Sequence, residues 1–281
     1  MNIGTLAMLL IGAASLPAIF ILVYVYRKDR TEREPGGLLL KLVLMGFLSA
    51  VFAVGSELLG GMIFENIPFA SETQANFWNY LIVVALSEEF FKYILMKKAT
   101  WKNINFNCTY DGVVYAVFAS LGFAILENFL YIIDGGIKTA LIRAVTAIPG
   151  HASFGIFMGV FYGIAKKYQS RDNEGASLFF RILAVFMPTL LHGIYDFSTT
   201  LGSLWLFLGF IIAMFLFAFK MIHVMSDKDT IIGEIPGADI SEETIVNESE
   251  ADTPVSHVII TPKTTDGTQR LTNYRTGGSD K

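Results

Sequence analysis

Residues 111–133 read DGVVYAVFASLGFAILENFLYII, and the only charged side chains in this stretch are Asp111, at its start, and Glu127. A helix rises about 1.5 Å per residue, so a run of this length crosses the roughly 30 Å of hydrocarbon in a bilayer. The run is continuously apolar, whereas the strands of a membrane barrel alternate apolar and polar residues over about ten positions. The stretch therefore predicts a membrane-spanning helix.

Six further stretches have the same character, and together they predict an all-α, polytopic bundle of about seven helices in the cell membrane. The predicted spans are 4–26, 38–62, 78–96, 111–133, 141–165, 178–199 and 203–225. The composition agrees, since 53% of the 281 residues are hydrophobic and 16% are charged, whereas soluble domains carry about 25% charged residues. A soluble enzyme is thereby excluded, and the basic residues are too scattered for a nucleic-acid-binding surface. The single cysteine, Cys108, cannot form an internal disulfide.

The distribution of basic residues predicts the orientation of the chain. The loops after the first, third and fifth spans contain Arg27, Lys28, Arg30, Arg33, Lys97, Lys98, Lys102, Lys166, Lys167 and Arg171. The loops 63–77 and 200–202 contain none, whereas the loop near 134–140 contains Lys138, with Arg143 just inside the fifth span. Because basic loops stay in the cytoplasm, the N-terminus is predicted outside and the C-terminus inside. Residues 226–281 hold 11 acidic and 5 basic residues, which predicts a disordered acidic cytoplasmic tail after a membrane-embedded domain over 1–225.

Ionisable side chains occur inside the predicted spans, where a charge costs at least about 2.5 kcal/mol. They are Glu57, Glu88, Glu89, Glu127, His151, His192 and Asp196. One such residue from each of the third to sixth spans lies roughly 10–15 Å below the predicted outer end of its helix. Four consecutive helices thus contribute to one polar layer in the outer half of the membrane. Scattered structural residues would have no reason to share a layer, so this predicts a functional site.

Local spacing supports that interpretation. Glu88 and Lys92 are four residues apart and share a helix face, so the lysine can partly neutralise Glu88 and its neighbour Glu89. His192 and Asp196 have the same spacing, which lets the carboxylate orient the imidazole ring.

Structural alternatives stay open for some of these residues. Glu57 lies near the end of its span and could simply reach the interface, and Glu127 with Asn128 could form a hydrogen-bonded clamp between helices. Small residues after His151 predict a close-packing stripe on the fifth span. This stripe consists of Gly155, Gly159 and Gly163.

Four motifs in this order resemble those of the PrsW family of intramembrane proteases. The motifs are Glu88-Glu89-x-x-Lys92, Phe123-x-x-x-Glu127-Asn128, His151-x7-Gly159 and His192-x-x-x-Asp196. They cover about 88–196, and each falls on its own predicted helix. The related type II CAAX prenyl endopeptidases have an arginine one position after Lys92 and a histidine in place of Glu127, so these two residues favour the PrsW branch.

The resemblance implies hydrolysis of a peptide bond in a single-span membrane protein within the bilayer. In the family, substrates include membrane-anchored anti-sigma factors that are cut on their extracytoplasmic side. Our hypothesis for the catalytic residues is that Glu88, assisted by Glu89, acts as the general base that activates a water. Glu127 would hold this water or protonate the leaving amine. His192, oriented by Asp196, would donate a hydrogen bond to the oxyanion, and His151 would complete the polar wall. Lys92, Asn128, Phe123 and Gly159 would support them. The sequence does not indicate an oligomeric state.

Two questions stay open at this point. The first is the cofactor, which is either none or a single zinc ion, because His151, His192 and Glu127 could supply two nitrogens and an oxygen although no HExxH motif is present. The second is the class of function. A proton-coupled transporter would also bury acids and histidines, but it would predict inverted repeats, which the two halves do not show. An inactive membrane scaffold with the same fold is the other alternative.

Overall fold

The computed structural model describes residues 3–232, 257–260 and 272–275, and the first range is helical almost throughout. Its helices are α1 (Ile3–Lys28), α2 (Gly36–Phe64), α3 (Glu72–Trp78), a π-helix (Asn79–Ala85), α4 (Leu86–Thr100), α5 (Asp111–Val145), α6 (Ala147–Gln169), α7 (Glu174–Thr200) and α8 (Leu204–Asp227). They belong to a compact unit over Met1–Gly233. The predicted helical membrane bundle is confirmed.

A second unit covers Glu234–Lys281. Its described residues form two short antiparallel strands, β1 (His257–Ile260) and β2 (Thr272–Arg275), with His257 opposite Arg275. The rest of the predicted disordered tail lies outside the described residues, so disorder there stays a prediction.

Five helices among the described residues are long and apolar enough to cross a membrane. They cover Gly36–Phe64, Asp111–Tyr131, Leu141–Gln169, Glu174–Thr200 and Leu204–Asp227. They coincide with five of the predicted spans. The third predicted span is divided between the π-helix and α4. The acidic and basic residues of α4 lower the hydropathy of this span. The full count of seven therefore stays a prediction.

The connection between the fourth and fifth predicted spans is largely helical, and the two spans are separate, Asp111–Tyr131 and Leu141–Gln169. Helix α5 continues to Val145 with a single break at Gly136, whose φ of 69° lies in the left-handed region. Glycine adopts this conformation without a steric penalty from a Cβ atom. A kink at this one glycine therefore connects the fourth and fifth predicted spans. Helix α6 begins at Ala147.

Helix α5 lies at the centre of the bundle and packs against α1, α2, α4 and α6. Its contact with α6 is close because glycines face each other. A Cβ atom at Gly159 would overlap the backbone of Gly112 and Val113, and one at Gly163 would overlap Thr109. Gly155 faces Ala116 and Ser120 in the same way. The predicted close-packing stripe on the fifth span is confirmed.

The first residues assigned to the tail belong to the helical unit. After α8 ends, Ile231 forms an antiparallel bridge with Cys108. The backbone N–H of Ile232 donates to Asn107 O at 2.6 Å, and that of Thr109 donates to Thr230 O at 3.2 Å. These backbone hydrogen bonds tie residues 230–232 to the loop before α5, so the compact unit extends past the predicted boundary near 226, and the division into a protease domain and a tail stays a prediction.

Candidate active site

The polar residues predicted from the four motifs meet in one network at the centre of the bundle. Helix α4 contributes Glu88, Glu89 and Lys92, α5 contributes Phe123, Glu127 and Asn128, α6 contributes His151, and α7 contributes His192 and Asp196. The motif glycine, Gly159, lies two helical turns from His151 in the α5–α6 contact and has a packing role. The predicted convergence of four helices is therefore what the structure contains.

The Lys92 ammonium lies at the centre of this network. Its Nζ atom donates to Glu88 Oε2 at 3.0 Å and to Glu89 Oε1 at 2.8 Å, and lies 3.1 Å from His151 Nδ1. It also lies 3.8 Å from the centre of the Phe123 ring, a cation–π distance. The lysine side chain has no exposed surface. The spacing of four residues between Glu88 and Lys92 thus produces the predicted pairing.

His192 is held from both sides. Its Nδ1 atom lies 3.0 Å from Glu89 Oε1, and its Nε2 atom lies 3.4 Å from Asp196 Oδ2. The carboxylate of Glu89 is therefore the closer of the two. The ring stacks on Phe154 with 4.6 Å between ring centres. Asp196 contacts His192 as the spacing predicted, but Glu89 on another helix makes the shorter contact.

Glu127 is held by an arginine that the sequence analysis did not include in the site. Its Oε2 atom lies 2.7 Å from both His151 Nε2 and Arg143 Nη2. Arg143 Nε also donates to Asn128 Oδ1 at 2.9 Å, and the guanidinium lies over the Tyr131 ring. The sequence signal was a lone arginine just inside a predicted span. Glu127 and Asn128 thus both bind Arg143, and Glu127 also contacts His151 on α6, so the hydrogen-bonded clamp between helices that was left open for this pair is present in the site.

A cavity of about 270 Å³ opens on this network. Its wall includes Glu57, Glu88, Glu127, Arg143, His151, His192 and Asp196. The side chain of Glu89 is completely buried, whereas 6% of the Glu88 side chain and 20% of the Asp196 side chain are exposed. Glu88, not Glu89, is thus the acid of the pair that a water in the cavity can reach.

Glu57 lies between this cavity and a larger one of about 660 Å³ that it also lines. The larger cavity is bounded by the end of α2, by α3 and by the π-helix, with Glu65 and Glu72 on its wall. The structural alternative for Glu57 was that its side chain only reaches the membrane interface. Its position on the wall of both cavities places it in the site instead.

Donor atoms suited to a metal ion come together in the same network. Atoms of Glu88, Glu89, His151 and His192 all lie within 4.8 Å of one another, the only such group of His, Cys, Asp and Glu among the residues that the structure describes. Glu89 Oε2 is buried without a hydrogen-bond partner. Two imidazoles with carboxylates suit zinc, so these residues fit a metal ion. The group contains both glutamates of α4, whereas Glu127, which the sequence suggested as a ligand, lies outside it.

Comparison with known proteins gives a consistent result. The PrsW family intramembrane metalloprotease profile matches residues 34–222. This chain belongs to the PrsW family. Its relatives include Protease PrsW of Oceanobacillus iheyensis, which is 36% identical over 194 residues, covering 67% of this chain and 81% of the relative. No solved structure matches the chain.

Two further relatives in the PrsW family cover still more of the chain. Protease PrsW of Halalkalibacterium halodurans is 31% identical over 225 residues, 78% of this chain and 98% of the relative. Protease PrsW of Bacillus subtilis is 31% identical over 218 residues, 75% of this chain and 92% of the relative. As a member of the PrsW family, the chain is a multi-pass membrane protein and a peptidase, which is the first of the three functions considered from the sequence.

Proposed function

We propose that this protease hydrolyses a peptide bond of a single-span membrane protein, with Glu88 as the general base that activates water. The exposure of Glu88 to the cavity, beside the fully buried Glu89, is the observation that supports this assignment. Glu89 binds Lys92 and His192 and would position both. Glu88, which Lys92 holds through Oε2 only, would therefore exchange a proton with water in the cavity, while Glu89 holds the surrounding charges in place.

The reaction would proceed in two stages. The Glu88 carboxylate takes a proton from water as the water oxygen attacks the carbonyl carbon of the scissile bond. His192, held by Glu89 and Asp196, donates a hydrogen bond to the oxygen that becomes negative. The proton on Glu88 then moves to the leaving nitrogen as the C–N bond breaks, which yields a carboxylic acid and an amine. Arg143 would position Glu127, with His151, on the opposite wall.

A metal ion would use part of the same donor group. His151, His192 and Glu89 would hold it, which leaves Glu88 as the base. A zinc ion held by these residues would supply a Lewis acid and lower the pKa of a bound water. Because Lys92 Nζ contacts both glutamates and His151, the ammonium and a metal ion would compete for the same oxygen and nitrogen atoms. Zinc is our choice from the nitrogen and carboxylate donors.

For the substrate, we propose a membrane-anchored protein of the anti-sigma-factor type, cut near its extracytoplasmic face. The resemblance in the motifs supports the substrate class. The distribution of basic residues supports the side, since the cavity that adjoins the site lies beside 63–77, a segment without basic residues that the sequence predicted as a loop and that contains most of α3.

The base assignment is tested by cleavage of a tagged single-span protein in cells. Glu88→Gln should reduce cleavage by about 10²–10⁴-fold, the usual effect of losing a general base. Glu174→Gln removes an acid whose side chain is 67% exposed and should leave cleavage unchanged. Both chains should retain the parent thermal unfolding midpoint. Cleavage by Glu88→Gln at the parent rate would contradict the assignment, and the same assay after chelation tests the metal.

A further inference from the structure

A groove of about 480 Å³ lies between α7 on one side and the π-helix and α4 on the other. Most of its wall is apolar and includes Leu81, Leu86, Phe90, Ile182, Val185 and Phe186. Phe90, Ile182 and Phe186 are 43%, 57% and 55% exposed, so the groove opens on the outer surface of the bundle. Among the described residues it shares no wall residue with the active-site cavity or with the larger cavity beside 63–77. We refer to it as the α4–α7 groove.

One end of the α4–α7 groove is basic. Its wall contains Lys97 and Arg181, the only charged residues that line the groove within the described part of the chain. Both approach the Trp101 ring, whose centre lies 6.0 Å from Lys97 Nζ and 5.4 Å from the guanidinium carbon of Arg181. Lys166 Nζ lies 5.1 Å from the same ring centre. Three cations therefore surround one indole ring at cation–π distances.

The acidic side chains around this basic end offset only part of its charge. Arg181 Nη2 lies 3.5 Å from Glu174 Oε2, in a side chain that is 67% exposed, and an exposed ion pair is weak. Lys166 donates to the backbone oxygen of Trp101 at 2.8 Å. Neither Lys97 nor Lys166 forms an ion pair with a residue that the structure describes. Positive charge is therefore left for an anion at the end of an apolar groove.

A buried hydroxyl lies beside the same end. Tyr93 lines the α4–α7 groove and is 5% exposed, and its Oη atom has no hydrogen-bond partner among the described residues. Lys97 Nζ lies 5.8 Å from the centre of the Tyr93 ring. Leaving a buried hydroxyl unpaired is unfavourable. The hydroxyl is thus a second observation, independent of the charges, that points to a ligand with acceptor oxygens.

We propose that the α4–α7 groove binds an anionic phospholipid. Its phosphate would lie between Lys97 and Arg181 and accept a hydrogen bond from Tyr93, and an acyl chain would lie along the apolar wall. Basic pockets between membrane helices on the cytoplasmic side suit acidic head groups. Lys97 belongs to the basic residues after the third predicted span, which the positive-inside rule places in the cytoplasm. The lipid would therefore come from the cytoplasmic leaflet.

Charge complementarity favours this occupant over the spanning helix of a substrate. A single-span helix carries its own basic residues at its cytoplasmic end, where they would meet Lys97 and Arg181. A zwitterionic lipid has no net negative charge to offset these two cations. An anionic phospholipid matches both the apolar wall and the basic end.

The position of the α4–α7 groove predicts what the lipid does. Helix α4 carries Glu88 and Glu89, and α7 carries His192. A lipid in the groove would contact both helices from outside the bundle and bury apolar surface of each. Because it binds the folded chain, it stabilises that state.

The test uses the full chain in a neutral detergent, delipidated and then titrated with phosphatidylglycerol or with phosphatidylcholine of the same acyl chains. Phosphatidylglycerol should raise the thermal unfolding midpoint saturably, by about 5 °C, and one molecule should stay bound in native mass spectrometry. Phosphatidylcholine should bind at least about tenfold more weakly. Inorganic phosphate alone should not shift the midpoint, because it lacks the acyl chain.

Variants locate the binding site in the groove. Lys97→Gln combined with Arg181→Gln should weaken the affinity for phosphatidylglycerol at least about tenfold. The matched control is Lys98→Gln combined with Lys102→Gln, which removes the same charge from exposed positions outside the groove and should bind as the parent does.

Tyr93→Phe is a milder variant that removes only the unpaired hydroxyl. Without lipid its unfolding midpoint should equal or exceed that of the parent, whereas its affinity for phosphatidylglycerol should fall about fivefold. The proposal is overturned if the two lipids bind equally or if inorganic phosphate reproduces the shift. It is also overturned if the groove variants bind as the parent does, or if the Lys98 and Lys102 control loses as much affinity as the Lys97 and Arg181 variant.

Discussion

Lys92 is the residue whose environment best explains the buried charges of the site. Two carboxylates and an imidazole lie within 3.1 Å of its Nζ atom, and the side chain has no exposed surface. Burying an ion is unfavourable in itself, and the loss is offset only when its partners are close and well oriented. The ammonium therefore offsets the cost of burying the carboxylates of Glu88 and Glu89 side by side.

Replacement of Lys92 should thus affect folding as well as activity. Lys92→Met has a similar length but no charge, and it leaves two buried carboxylates without their cation. We expect a loss of about 3–5 kcal/mol in the free energy of unfolding, measured by chemical denaturation in detergent. Lys98→Met on the exposed face of the same helix is the control and should change stability by less than about 0.5 kcal/mol. Equal stability of the two variants would show that Lys92 does not balance the glutamates.

Much of the site follows from residue spacing, since Glu88 with Lys92 and His192 with Asp196 are neighbours on their own helices. The contact of Glu89 with His192 could not be predicted in this way, because it joins residues 103 positions apart. Arg143 was missed because it reaches Glu127 only through the kink at Gly136.

At the scale of elements, the helices themselves are readily predicted and their irregularities are not. The π-helix Asn79–Ala85 lies within a run of apolar residues, and its sequence does not distinguish it from an α-helix. Its position depends on α7, because a Cβ atom at Gly193 would lie 2.9 Å from Leu81 Cα. A glycine next to His192 thus lets the π-helix and α7 approach each other, which is a property of the two helices together and not of either sequence segment.

The contact between α5 and α6 gives a prediction at this scale. Gly159→Ala places a methyl group where the backbone of Gly112 and Val113 lies, so the helices must separate and the distance between Glu127 and His151 must change. We expect a loss of about 1–3 kcal/mol in the free energy of unfolding together with reduced cleavage. The control is Gly209→Ala in α8, where the added methyl group has open space and should stabilise slightly, since alanine is the better helix former. A parent-like Gly159→Ala would contradict close packing as the role of this motif glycine.

For the whole molecule, the larger cavity and the basic loops agree with one orientation. The larger cavity lies beside 63–77, where no basic residue occurs, whereas the loop after α1 contains Arg27, Lys28, Arg30 and Arg33. Glu57 lines both the larger cavity and the active-site cavity. If basic loops face the cytoplasm, water and an extracytoplasmic substrate segment would approach the site past Glu57.

The orientation predicts which added thiols a membrane-impermeant maleimide can reach in intact cells. Thr73→Cys, on the exposed surface of α3, should be labelled without permeabilisation, because α3 is predicted to face outwards. Ser170→Cys, exposed after α6, should be labelled only once the membrane is opened. The native Cys108 is 1% exposed, so the unsubstituted chain serves as an unlabelled control until it is denatured. The reverse pattern would place the basic loops outside, and the larger cavity would then admit a cytoplasmic segment of the substrate instead of an extracytoplasmic one.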